Sequence, residues 1–198
     1  MYTIMKTTRR HFFSFLATLP FSGWLFGAGK DLFTLSPTPE CDDHDGPTPA
    51  QTEGPYFTPD SPQRSNLREE GMTGTRLVLT GQVLNTKCKP VEKALLDWWH
   101  CDKAGNYDNQ GFRLRGHHYT DKNGYFRLET IEPGLYPGRT RHFHVKVQAP
   151  GKPILTTQLY FPDEPANKRD GIFNSKLLMN ITRKSDQVKA DFIFVVNV

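Results

Sequence analysis

The sequence predicts an all-β fold: an antiparallel β-sandwich with a loop-rich N-terminal arm and few short helices. Three observations carry this. Sixteen glycines and fifteen prolines in 198 residues supply many turns. Apolar residues past position 75 fall in short runs that alternate with period two, the spacing of a strand with one buried face. Turn signals separate these runs at strand-length intervals. The length suffices for one domain with a sizeable core plus an extension. The expected division is an export signal over 1–30, an arm or linker over 31–74 and the sandwich that carries the chemistry over 75–198.

In chain order, Lys6-Thr7-Thr8-Arg9-Arg10 is a basic segment before an apolar run over 12–28, broken by Ser14, Pro20 and Ser22, and Gly27-Ala28-Gly29 closes it. This is the layout of a secretory signal, too broken for a confident membrane span. Arg9-Arg10 before His11-Phe12-Phe13 resembles a twin-arginine export signal. The chain is therefore expected to be exported, to the periplasm, with no stable membrane span once the signal is removed; the cleavage site, or retention of the signal as an anchor, is left open. Residues 31–54 shift to Pro, Thr, Asp and Gly without periodicity, and Glu40-Cys41-Asp42-Asp43-His44-Asp45 reads as a solvated loop. Gln51-Thr52-Glu53-Gly54-Pro55-Tyr56-Phe57 and a polar segment to Gly74 follow.

Strands are expected over 76–84 and 94–101, the second carrying Trp98 and Trp99, which must face opposite sides. The turn over 102–107 delivers Tyr107. Residues 116–120 and 125–131 read as a hairpin about Asp121-Lys122-Asn123-Gly124, because Asn-Gly supplies positive φ. Further strands are expected over 142–147, 154–161 and 192–196. The polar stretch 163–189 reads as loop, with a short helix near 176–180.

The net charge of +4 is modest, and no basic run interleaved with aromatics occurs past residue 70, so nucleic acid is not an expected partner. Cys41, Cys88 and Cys101 lack C-x-x-C spacing; one disulfide with an odd thiol left over is compatible with them.

The chemistry concentrates between Pro133 and His144. His142 and His144 stand at i and i+2 on a strand and so share a face, and Tyr136 lies in the Pro/Gly turn upstream. Most such pairs are ordinary polar-face residues, but Arg139 and Arg141 beside this one favour a metal site. A phenolate is a hard anionic donor suited to Fe(III), and a phenol of pKa about 10 needs a strong Lewis acid to lose its proton at neutral pH.

Tyr107 in Gly105-Asn106-Tyr107, Tyr136 in Pro133-Gly134-Leu135-Tyr136-Pro137, and His142-Phe143-His144 together resemble the two-Tyr, two-His ferric site of the intradiol ring-cleavage dioxygenases, which include protocatechuate and catechol enzymes. The segment 51–57 and Thr156-Thr157-Gln158-Leu159-Tyr160-Phe161 resemble that family too, so the likeness covers about 50–175. It implies Fe(III) held by Tyr107, Tyr136, His142 and His144, with Tyr136 the ligand expected to leave and take a substrate proton. It further implies a catechol-type substrate cleaved by O2 between its hydroxyl-bearing carbons to a muconate-type diacid. Arg139 would stabilise charge developing on the ring, and Gln158 would hydrogen-bond near iron or substrate. Tyr56 is a candidate wall of the substrate pocket. The segment between Tyr136 and His142 is shorter than in family members, which is expected to reshape the mouth of the site.

His117 and His118 point to opposite faces and His100 ends a strand, so none is an expected ligand; Tyr160 reads as core or pocket wall. Arg64, Arg113 and Arg115 are weak pointers to an anionic substrate. An assembly of identical chains, which family members often form, is compatible with the sequence but not specified by it. Two other readings fit the sequence less well. A non-catalytic prealbumin-like sandwich module needs neither the His pair nor Tyr107. An Fe(II) oxygenase wants a carboxylate beside two His, and none lies between Tyr136 and His144.

Overall fold

The structure is a computed structural model that describes residues 46–198. The expected export signal, Arg9-Arg10 and the acidic stretch 40–45 lie outside the described residues. Eight strands occur among those described: β1 (Arg76–Asn85), β2 (Leu95–Trp99), β3 (Arg115–Tyr119), β4 (Tyr125–Ile131), β5 (His142–Gln148), β6 (Leu155–Tyr160), β7 (Asn180–Arg183) and β8 (Gln187–Val196). They form two four-stranded sheets, ordered β4-β1-β8-β7 and β3-β2-β5-β6.

The sandwich follows from period two. On β5, Phe143, Val145 and Val147 are fully buried in the core, on β1 Leu77, Leu79 and Val83 meet them from the other sheet, and Trp98 packs between them on Phe126, Phe143 and Phe194. Burying side chains of this size contributes roughly 1.5–3 kcal/mol each. The alternate positions of the β5 sheet face away from this core. Trp99 is such a position; it packs against Phe57, so the two tryptophans face opposite sides as expected, one in the core and one under a loop.

Three local readings differ. The expected hairpin over 116–131 has its turn but not its pairing: β3 pairs with β2, and β4 with β1 in the other sheet. Gly124 takes a positive φ of 75° and Asn123 does not, so the turn is not the mirror-image type that closes a two-residue hairpin. Thr120 ties the end of β3 to the segment before β2, accepting from Ala94 N and donating to Val91 O, and the chain then crosses between sheets. The second difference is that β1 and β8 pair in parallel, while the other ladders among the described strands are antiparallel. The third lies in 163–189. There the expected helix is a single 3-10 turn over Ser175–Leu177, joined by another over Pro165–Lys168 and by the edge strand β7, whose one apolar residue, Ile181, gives no period; β8 also begins within this stretch, at Gln187, ahead of the strand expected over 192–196.

Residues 46–74 are packed on the sandwich. Thr48 bonds to Val195 in β8, Gln51 N donates to Thr156 O at the edge of β6, and Leu67 is fully buried in the core. Cys88 is disulfide-bonded and Cys101 is a buried free thiol.

Candidate metal centre

Register places the site. On the outer face of its sheet, β5 sets His144 opposite Trp99 of β2 and Gln158 of β6, and His142 opposite Tyr160. Both histidines are 3% exposed. His142 Nδ1 donates to Thr140 O at 2.6 Å, which fixes its tautomer and leaves Nε2 as a lone pair. That Nε2 lies 3.0 Å from His144 Nε2. Trp99 stacks flat on the His144 ring at 4.9 Å, and His144 Nδ1 has no partner among the described residues. Burial holds both imidazoles neutral, His142 down to about 4 and His144 well below 6.5. Two neutral, water-excluded imidazoles converging on one point are suited to sharing a cation. Among the described residues no third His, Cys, Asp or Glu joins them, so the carboxylate an Fe(II) site would want is not supplied.

The tyrosines arrive on two loops that lock together. Asp102 accepts from the N–H groups of Ala104 and Asn106, and Gly134 N donates to Asp102 O. Gly105 has φ 87°, and a Cβ there would lie 2.3 Å from Leu135 O; a Cβ on Gly134 would lie 2.4 Å from Lys103 O. Only glycines allow the loops to approach so closely. The crossing brings Tyr107 Oη to 3.4 Å from His142 Nε2 and sets the Tyr107 and Tyr136 rings edge to face at 5.8 Å. Burial pushes the Tyr107 phenol above its ordinary value of 10.0, so it ionises at neutral pH only beside a strong Lewis acid. The Tyr136 hydroxyl lies 2.8 Å from that of Tyr56, whose ring stacks on Tyr107 at 4.4 Å. Tyr56 thus stands against both tyrosines of the site. The donor set suits a hard trivalent ion.

Arg139 and Gln158 meet at the rim. Arg139 Nη2 donates to Gln158 Oε1 at 2.6 Å, Gln158 Nε2 donates to Thr52 O at 2.9 Å, and Asp170 receives Arg139 Nε at 2.9 Å. Gln158 is fully buried with both ends of its amide engaged, which makes it a support for Arg139. Asp170 gave no sequence signal, because the residues that tie it to the site, Arg139 and Thr140, lie 31 and 30 residues away.

The arginine expectation needs correction. Arg115 is 2% exposed and spends its donors on the carbonyls of Asp108 and Tyr56, while Arg64 is held by Arg115 O, Phe112 O and Glu69. Neither offers a free cation to a substrate. Arg115 ties the Tyr107 loop to the segment bearing Tyr56, a role that its basic side chain alone did not signal. His117 bonds Ser61, His118 packs beside Phe126, and His100 bonds Cys101 O and Thr130, so none joins the site. Tyr160 lies under it, donating toward Gln158 or Ile172 O.

Over residues 52–195 the chain matches the family described as Dioxygenase. Among curated relatives, a catechol 1,2-dioxygenase of Candida albicans is 30% identical over 151 residues, 62% of this chain and 50% of that protein. A hydroxyquinol 1,2-dioxygenase of a Rhizobium species is 28% identical over 173 residues, 73% of this chain and 58% of that protein. The chain thus spans about half the length of the curated relatives it matches. Among solved structures, the dioxygenase domain of a dioxygenase carbohydrate-binding protein fusion from the cellulolytic bacterium Streptomyces sp. SirexAA-E has a TM-score of 0.76 at 52% identity, covering 77% of this chain and 99% of that one. An intradiol ring-cleavage dioxygenase from Tetranychus urticae gives 0.69 at 28% identity, over 77% and 94%. A family match across most of the sequence, joined to likeness along nearly the whole of two solved dioxygenase chains, makes this protein a member of the intradiol ring-cleavage dioxygenase family.

Proposed function

We propose that the chain is a non-haem Fe(III) dioxygenase that cleaves a catechol-type diol between its two hydroxyl-bearing carbons, placing both atoms of O2 in a muconate-type diacid. The carrying observation is the convergence of two buried imidazole Nε2 atoms 3.0 Å apart with Tyr107 Oη 3.4 Å from one of them. The names of the relatives, catechol and hydroxyquinol 1,2-dioxygenase, support the substrate class. Tyr107, Tyr136, His142 and His144 would hold the ion. Bound there, ferric iron would supply the Lewis acidity that makes phenolate and catecholate forms accessible at neutral pH and opens the ring to O2.

The remaining roles belong to the chain itself. Thr140 O fixes the His142 tautomer, and Trp99 and Phe57 keep water from the His144 side. The Tyr136 phenol oxygen would receive a proton from a substrate hydroxyl, with the Tyr56 hydroxyl at 2.8 Å to hold it. Arg139, braced by Gln158 and Asp170, would set fixed positive charge against negative charge developing on the ring, help that can contribute several kcal/mol. Turnover under labelled O2 tests the reading: both label atoms should appear in the diacid. An aldehyde product from cleavage beside the diol, or no oxygen uptake with any catechol, would contradict it.

We also infer export by the Arg9-Arg10 signal. The disulfide at Cys88 supports this, because such bonds persist in oxidising compartments. Fractionation of cells making the full chain should place it outside the cytoplasm; an intact precursor retained in the cytoplasm would refute the inference. No helix among the described residues is long and apolar enough to cross a membrane.

A further inference from the structure

Asp170 has a side chain 2% exposed and sits where three segments meet. Its Oδ2 accepts from Arg139 Nε and from Thr140 N, both at 2.9 Å, and its Oδ1 accepts from Ile172 N at 3.1 Å. Thr140 O in turn accepts from His142 Nδ1 at 2.6 Å, and its hydroxyl donates to Asn167 Oδ1 at 2.5 Å. One carboxylate oxygen therefore grips the guanidinium of Arg139 and, one peptide further on, the backbone that orients the first histidine of the pair. On the far side of Arg139, Gln158 grips Nη2. A buried carboxylate with its lone pairs spent on one charged donor and two backbone donors is a rigid anchor.

Resting on the dioxygenase reading, we propose that Asp170 is a positioning residue for ring cleavage: it sets the direction of Arg139 and couples that direction to the orientation of His142. The charge on Arg139 acts only if it is aimed at the reacting ring. Displacement by about an ångström, far from the chemistry, can cost about a hundredfold in rate. A merely structural Asp170 would instead lower stability and leave the kinetics of the folded fraction unchanged.

The test compares Asp170→Asn, Asp170→Glu, Arg139→Ala and the double variant Asp170→Asn with Arg139→Ala, all iron-loaded full chains. Three quantities are read: kcat and KM for catechol, the visible band of the resting protein, and the affinity for catechol without oxygen from the shift of that band. Asp170→Asn should keep the resting band and its catechol affinity within about threefold, yet lose about ten- to a hundredfold in kcat. Asp170→Glu, which restores the charge, should recover part of that loss. The double variant should be no slower than Arg139→Ala, because the two residues act as one unit. Asp170→Asn with wild-type kcat and KM, or losses that add in the double variant, would overturn the assignment alone. A wild-type chain that holds iron without a visible band, or takes up no oxygen, would overturn the dioxygenase reading and this inference with it.

Discussion

A buried imidazole beside a second one is stable only while both stay neutral, and the sequence around His142 and His144 arranges this with few groups: Thr140 O on one ring, Trp99 on the other, and the Tyr107 phenol against both. The H-x-H spacing was legible because period two alone puts both residues on one face. Trp99 and Asp170 were not, since their relation to the site depends on register and on contacts spanning tens of residues. Arg115 shows the same limit. As one of three basic residues it suggested an anionic substrate, whereas its burial and three bonds to carbonyls make it a strut. Arg115→Met keeps the length and removes the donors, leaving the carbonyls of Asp108 and Tyr56 unpaired at a cost of about 1–3 kcal/mol each. Urea unfolding should show a loss of that order, and iron loading should fall as Tyr107 loses its anchor. An Arg115→Met protein as stable as the parent would remove the strut role.

At the scale of elements, short alternating runs revealed β1, β2, β4, β5 and β6 to within a few residues, because each buries one face. β7 was missed because an edge strand with one half-buried apolar residue has almost no pattern, and the β3–β4 turn misled because an Asn-Gly turn does not say whether the strands it joins share a sheet. The crossing of the two tyrosine loops was equally invisible, though its glycines, Gly105 and Gly134, stand two residues before Tyr107 and Tyr136. Gly105→Ala would force a Cβ to 2.3 Å from Leu135 O at a φ of 87°. The expected outcome is a loop displaced from the His pair, with stability down by about 1–3 kcal/mol and much weaker iron retention, read by thermal unfolding and metal analysis. Full iron occupancy in Gly105→Ala would mean that the crossing does not position Tyr107.

The whole molecule carries a pH dependence outside the site. Burial holds His100 and His118 down to about 4 against an ordinary 6.5, and neither ring nitrogen of His118 has a hydrogen-bond partner among the described residues. The unfolded chain therefore binds protons first as pH falls below about 6.5. Stability is full above that value and is lost progressively toward about 4, by on the order of 2–3 kcal/mol for each group. Urea midpoints at pH 7.5 and 5 should differ accordingly. His118→Leu should shrink the difference without destabilising at pH 7.5, because an apolar side chain suits that packed position better than two unpaired nitrogens. An unchanged pH slope in His118→Leu would place the dependence elsewhere.

Whether the two tyrosines and two histidines form one ferric site is tested most directly by the visible absorption spectrum of the iron-loaded protein. A red-brown band in the resting protein is expected, weakened or shifted in Tyr107→Phe and shifted in the wild type when catechol is added without oxygen. A fully iron-loaded protein that is colourless before and after catechol would contradict phenolate ligation, and with it the reading of the site.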